Sequence, residues 1–273
     1  MNKQWRILPT ILVTICVLAM LMHGVILQYE DYHQFADTRR YFAIPNTMDV
    51  LSNMAFGLTG LVGLLATYVL FRKSNRQVQH VSQTSANSKT HTHRWQVKDF
   101  AYLIFLLSIL MTCFGSAYYH WAPDDGRLFW DRLPIALACA SLMAAVRIEV
   151  LQTLETQKNR PPIFAIAHVF IMLLFAMFSV LWWQYTGDLR PYLGLQLLAI
   201  LLIPVWQHLY PTARRTRWVF LCAVCLYVCA KATEIFDAEI LYLTGFISGH
   251  TIKHLLASAA AGLICWNWLR AKF

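Results

Sequence analysis

The sequence predicts an all-α integral membrane protein with eight spanning helices, on three observations. Apolar stretches close to the ~20 residues that a spanning helix needs recur along the whole 273-residue chain. Only 14% of the residues are charged and 58% are hydrophobic, whereas a soluble domain carries roughly 25% charged residues, so lipid must be the solvent for most of the surface. The basic residues, finally, crowd into every second connection, the pattern of chains whose basic loops stay cytoplasmic.

The predicted spans are 7–28, 49–71, 99–121, 129–149, 162–184, 191–209, 218–237 and 242–268, which leave little chain for a soluble domain. The first follows the basic stretch Met1 to Arg6, as a signal peptide's apolar region would. Its apolar run from Ile7 to Leu27 exceeds an h-region of roughly 7–15 residues, and no small-x-small cleavage site follows, so it is expected to remain a helix. Basic residues at Lys3 and Arg6, from Arg72 to Lys98, from Arg147 to Arg160, from Arg214 to Arg217, and at Arg270 and Lys272 alternate with acidic connections. Those carry Glu30, Asp31 and Asp37, then Asp124 and Asp125, then Asp188, then Asp237 and Glu239. Both termini are therefore expected in the cytoplasm and the acidic loops outside, in a multi-pass protein of the cell (inner) membrane. The formal net charge of +9 reports this orientation and not a nucleic-acid partner, because the cations sit in particular loops and do not share a face.

Residues 73–98 are rich in Ser, Thr, Asn, Gln, Lys and His and are expected to form a mobile cytoplasmic loop. Within it His91 and His93 have no third ligand nearby, so any metal binding there is read as adventitious. The stretch from Gln28 to Met48 is too polar to span; an outer cap and a polar part of an active site both fit it. All seven cysteines fall inside predicted spans, which indicates no disulfide framework. Cys222, Cys225 and Cys229, on one helix, are read as small apolar packing.

Ionisable residues inside a span cost about 2.5–3.5 kcal/mol each for Asp, Lys or Arg, so where they cluster they mark function. His250 and His254 at the start of the last span are spaced i, i+4, which puts both imidazoles on one helix face within reach of one ion; the pair by itself fits metal binding or interhelical hydrogen bonding. Ser116 and His120 at the end of the third span share a face in the same way, and the predicted topology sets all three histidines at one membrane level. Asp131 opens the fourth span at that level, just after the turn from Pro123 to Gly126. Three neutral imidazoles with one position left open describe a catalytic zinc site, since a structural site closes with a fourth protein ligand. A carboxylate beside it accepts the proton of an attacking water and passes it on to the leaving amine, the role given to Asp131. Ser116 either hydrogen-bonds that water or the developing oxyanion, or only bonds the carbonyl four residues back; spacing leaves both open. Lys231 and Glu234, at i, i+3, are read as a neutralising pair, with a polar contact to a lipid headgroup as the alternative. Lys253 points to another helix face than the two histidines, is expected to snorkel to the interface, and is given no catalytic role.

Taken together, Asn46-Thr47-Met48-Asp49-Val50-Leu51-Ser52-Asn53, Gly115-Ser116 to His120, Asp131-Arg132-Leu133-Pro134, and His250 to His254 resemble the alkaline ceramidase family, as a bacterial-type member. That family lies within the seven-helix membrane hydrolase superfamily that includes the adiponectin receptors. The resemblance covers roughly residues 31–268. It implies a seven-transmembrane-helix core at 29–273, one additional N-terminal transmembrane helix at 1–28, and a Zn2+ ion held by His120, His250 and His254 near the outer face. It also implies Ser116 and Asp131 as catalytic residues, and hydrolysis of a ceramide-like membrane lipid to a sphingoid base and a fatty acid. The family's acidic calcium-binding segment, D-W-x-E-x-N, is replaced here by Phe35-Ala36-Asp37-Thr38-Arg39, and Asn46 stands where a glutamate would fall. Calcium dependence is therefore not carried over, and the substrate is implied less narrowly.

Two other classes compete. A non-enzymatic, zinc-stabilised membrane receptor or scaffold would keep the histidines but has no need of Asp131 or Ser116. A b-type haem protein would take two axial ligands from His120, His168, His250 and His254, one from each of two helices.

Overall fold

The computed structural model describes residues 5, 7–84, 95–154 and 162–272, the side chains of 74–84 excepted. The regular elements among the described residues are all helices, with no strand and one isolated bridge between Tyr41 and Ile44. In chain order the helices are α1 (Leu8–His23), α2 (Thr47–Ser52), α3 (Met54–Thr84), α4 (Val97–Trp121), α5 (Asp125–Leu151), α6 (Pro162–Thr186), α7 (Arg190–Leu209), α8 (Arg214–Ile235), α9 (Asp237–Thr244) and α10 (Gly249–Lys272).

Among the described residues six helical stretches are long and apolar enough to cross a membrane: Thr47–Lys73, Val97–Trp121, Asp125–Leu151, Pro162–Thr186, Arg190–Leu209 and Arg214–Ile235. They realise the second to seventh predicted spans. The other two differ. α1 has 16 residues, ~24 Å at the α-helical rise, because Gly24 turns out of the helix at φ 79° and the chain runs on extended. The eighth predicted span, 242–268, is interrupted: α9 ends at Gly245 in the left-handed region, and a fresh helix of 24 residues starts at Gly249. α10 is long enough to span, but His250, Lys253 and His254 lower its apolarity. The predicted polar loop at 73–98 also begins later than expected. Lys, Arg and Gln sustain helix well in the absence of packing, and α3 continues to Thr84, while His91 and His93 lie outside the described residues.

The long helices α3, α4, α5, α7, α8 and α10 surround one cavity. α6 packs outside this ring on α5 and α7, and α1 lies on α7. α5 is the central staff: its alanines, Ala136, Ala140, Ala144 and Ala145 among them, are fully buried and let its neighbours approach closely. α8 lies chiefly against α10 and touches α7 only lightly.

Three devices set the ends of the bundle. At the end away from the histidines, Asp99 closes a capping box with Gln96, accepts from the Trp268 indole at 3.3 Å and pairs with Lys272, which ties α4 to α10. At the other end the Asp124 side chain caps α5 by accepting from Arg127 N–H at 2.7 Å. Beside it the connection between α6 and α7 is gathered on Asp188. Burial alone would raise the Asp188 carboxyl, but bonds from the Arg190 side chain and backbone, the Trp182 indole and the Ile26 N–H outweigh it and hold the group down at about 2. The Ile26 bond anchors the extended chain after α1.

Candidate metal centre

Two close helix approaches assemble the site, and a glycine permits each. A Cβ on Gly115 would stand 2.0 Å from the Trp130 carbonyl oxygen, so only glycine lets α4 and α5 bring Ser116 beside Asp131. A Cβ on Gly249 would stand 2.0 Å from the Thr233 carbonyl oxygen, so only glycine lets α10 start against the end of α8.

There His120 on α4 meets His250 and His254 on α10. All three are buried, and one ligand nitrogen from each lies within 4.8 Å of the others. His120 Nε2 and His250 Nε2 are 3.1 Å apart, near the ~3.3 Å edge of a tetrahedron with ~2.05 Å metal–nitrogen bonds. The ring centroids are 4.6 Å (His120–His250), 4.8 Å (His250–His254) and 5.1 Å (His120–His254) apart.

The surroundings fix the imidazoles. Ser52 Oγ lies 2.7 Å from His254 Nδ1 and donates its one proton to the Asp49 carbonyl at 2.9 Å. His254 Nδ1–H must then be the donor to Ser52, which leaves the Nε2 lone pair free for a metal. Asn46 Nδ2 grips the His120 carbonyl at 2.9 Å, from a left-handed backbone position that asparagine tolerates. Buried His120 Nδ1 has no hydrogen-bond partner. Three buried nitrogen donors, one ring locked with its lone pair inward and one orphaned ring nitrogen fit a metal ion better than a closed hydrogen-bond network. The donor set suits zinc. A haem does not fit, because nitrogens 3.1 Å apart leave no room for a macrocycle between them, and His168 sits elsewhere, on α6, bonded to Arg147 at 3.1 Å.

Asp131 lies at the same end of the cavity. Its neighbour is the Ser116 hydroxyl, and its Oδ1 is buried and unpartnered. On α4, Ser108 and Thr112 bond the carbonyls four residues back, whereas Ser116 is turned to the carboxylate. Lys231 and Glu234 pair as expected, at 2.9 Å. Lys253 departs from expectation: it does not snorkel away but lines the cavity and donates to the other oxygen of Glu234 at 2.8 Å. An unpaired ammonium at this depth costs more than one held by a carboxylate, and Glu234 is within reach.

The stretch between Gln28 and Met48 is a cap over the histidines. Phe35 packs on His120 and His250, with centroids 4.5 and 4.7 Å away. Ala36 N–H donates to Asp237, and His33 bridges the Tyr119 hydroxyl and Asp125. From Asp131 to Leu142 on α5 the cavity lining follows the helix for about 16 Å at its axial rise, and beyond the polar end it is built from apolar side chains such as Phe105, Ile203 and Phe220. No family model matches this sequence, and no curated protein matches it either.

Proposed function

We propose that the chain is a zinc-dependent integral-membrane hydrolase that cleaves the amide bond of a ceramide-like lipid to a sphingoid base and a fatty acid, as its resemblance to the alkaline ceramidases implies. The observation that carries this reading is that Asp131, with one buried and unpartnered carboxylate oxygen, lines the same long apolar cavity as His254 of the three converging histidines. A cavity of that shape is suited to an acyl chain, with the amide at its polar end.

His120, His250 and His254 would hold the zinc, which when bound supplies Lewis acidity toward a carbonyl and a water of lowered pKa. Asp131 accepts the proton of the attacking water at Oδ1 and returns it to the nitrogen as the carbon–nitrogen bond breaks, so that the amine leaves neutral and the acyl group leaves as the acid. Ser116 donates its one hydroxyl proton to the carboxylate and holds it in register. Phe35 and the cap keep bulk water off the histidines, which strengthens every charge interaction beneath them. With the basic connections in the cytoplasm, both termini lie inside and the site lies near the outer face. A non-enzymatic, zinc-stabilised scaffold would leave the free Asp131 oxygen without a use.

The test is metal analysis of detergent-purified protein beside a hydrolysis screen of lipid amides and matched esters. The reading expects about one zinc per chain and release of free fatty acid from amides; a metal-loaded protein inert toward every amide would overturn it.

A further inference from the structure

Where α7 and α8 meet, the cavity wall carries polar side chains that the hydrolytic chemistry does not use. On α7 they are Tyr192 and Gln196, on α8 Tyr227 and Lys231, each pair spaced i, i+4 and so on one helix face. From the next turn inward the same wall is apolar, with Ile200 and Ile203 on α7 and Val224 and Phe220 on α8.

Three of the four polar residues are engaged by neighbours. Lys231 pairs with Glu234. The Tyr192 ring centroid lies 5.4 Å from the Arg132 guanidinium carbon, one of three rings around that cation with Trp183 at 4.0 Å and Tyr32 at 5.1 Å. The Tyr227 hydroxyl donates to Gln196 Oε1. That bond serves one end of the amide only: Gln196 is 6% exposed, and its Nε2 is buried with no acceptor. An amide N–H group left unpaired in an apolar enclosure is unfavourable, whereas a leucine would fill similar space without that penalty.

Gln196 also stands at the depth of the chemistry. The starts of α5 and α7 are tied through the extended chain after α1, where the Ile26 N–H donates to Asp188 at 3.3 Å and the Gln28 amide donates to Asp125 at 3.0 Å. Asp131 and Gln196 are each the seventh residue of their helices, so the free amide end is about level with the carboxylate.

We propose that Gln196 is a specificity-determining residue that hydrogen-bonds a hydroxyl group on the acyl chain, close to its carbonyl; this rests on the hydrolase reading and narrows its substrate class to amides of hydroxylated fatty acids. With the scissile amide at the level of Asp131, a wall residue at that level meets the first carbons of the chain beyond the carbonyl. A hydroxyl both donates and accepts, so it satisfies the side-chain amide whichever of its oxygen and nitrogen faces Tyr227. An unsubstituted chain would press methylene groups against Nε2 and leave it unpaired. Tyr227 is a positioning residue, because its bond fixes the plane in which the amide meets the chain.

The experiment offers the full-length, metal-loaded protein an equal mixture of three lipid amides on one base, with acyl chains of one length that are unsubstituted, 2-hydroxylated or 3-hydroxylated. The ratio of fatty acids released is the ratio of kcat/KM values, and partial unfolding or loss of metal lowers all three rates without changing it. The wild type should cleave one hydroxylated lipid at least about tenfold faster than the unsubstituted one. Gln196→Leu should bring that ratio close to one, and Tyr227→Phe, which lets the amide turn, should lower it in part. If Gln196→Leu fails to fold, Tyr227→Phe still supplies the test. Equal cleavage of all three by the wild type, or an undiminished ratio in Gln196→Leu, overturns the proposal while the hydrolase reading stands. A discrimination that depends on Gln196 but follows a hydroxyl of the base, seen with a base lacking it, overturns the assignment to the acyl chain. Binding is measured in parallel with ketomethylene analogues, in which CH2 replaces the amide NH and nothing can be cleaved. A tenfold preference for a hydroxylated analogue in a protein that hydrolyses no amide would sink the hydrolase reading and leave the hydroxyl site standing.

Discussion

The His250 backbone N–H donates to Asp237 Oδ1 over 2.7 Å, and the second oxygen of the same carboxylate accepts from the Ala36 N–H over 3.0 Å. One side chain thus holds both the start of the helix that carries two of the histidines and the segment that lays Phe35 over them. It also sets a negative charge at the N-terminus of α10, where the helix dipole favours it.

Replacing Asp237 by Ala should therefore loosen the centre without touching a ligand. Outer partners of metal ligands are commonly worth 10–100-fold in affinity, and about tenfold weaker zinc retention is expected in a chelator competition. Asp237→Asn keeps one acceptor oxygen and should fall between the two. Unchanged retention in the alanine variant would show that α10 is held in place by packing alone.

Asp131→Asn and His250→Ala should fail in different ways. The asparagine keeps the size of the side chain and removes the proton acceptor, so hydrolysis should drop by about 10²–10⁴-fold with metal content nearly unchanged. The alanine removes one of three ligands, and metal and activity should disappear together. A fully active, folded Asp131→Asn enzyme would return the protein to the scaffold class.

Gly115→Ala should be among the most damaging small substitutions in the chain. Its methyl group would meet the Trp130 carbonyl at 2.0 Å, and backbone cannot step aside without parting α4 from α5. Overpacking of this kind costs about 1–3 kcal/mol or more, visible as a lowered melting temperature in detergent. Gly194→Ala is the control: nothing lies within 4 Å of the added carbon, and alanine is the better helix former, so its melting temperature should hold or rise slightly.

The Asp188 carboxyl titrates at about 2 in the folded protein, below the ~3.9 of an unfolded chain. Its contribution to stability is therefore complete above pH ~4 and is lost as the pH falls through about 2. Thermal melts between pH 5 and 2 should show a loss that Asp188→Asn lacks, together with a lower melting temperature for that variant at neutral pH. Parallel acid profiles for the two proteins would mean that the Arg190 pairing does not contribute.

The parts of this molecule that were legible in sequence are those with a local signature. Helical spacing announced the pairing of Ser116 with His120 and of His250 with His254, and the short turn at Pro123 brought Asp131 to the same level. Phe35, Asp237 and Ser52 act on the histidines from segments far away along the chain; the stretch holding Phe35 is readable as an outer cap and Ser52 stands in a segment of the resemblance, but no spacing ties any of the three to a particular histidine. The guanidinium of Arg132 is held by aromatic rings from three separate segments, a contact with no spacing to read. Lys253 was assigned to the wrong environment because a helical wheel shows which way a side chain leaves its own helix. It does not show that Glu234 on α8 waits there.

α10 is fastened at both ends, by Asp237 near the histidines and by the pairing of Lys272 with Asp99 at the far end. A beam clamped twice is stiff along its middle, so the alanines with which it walls the cavity, Ala257, Ala260 and Ala261, form a fixed surface. Compliance is left to the opposite seam, where α8 rests only lightly on α7. Any change in the width of the cavity would therefore come from movement of α8 against α7, with α10 as the fixed wall.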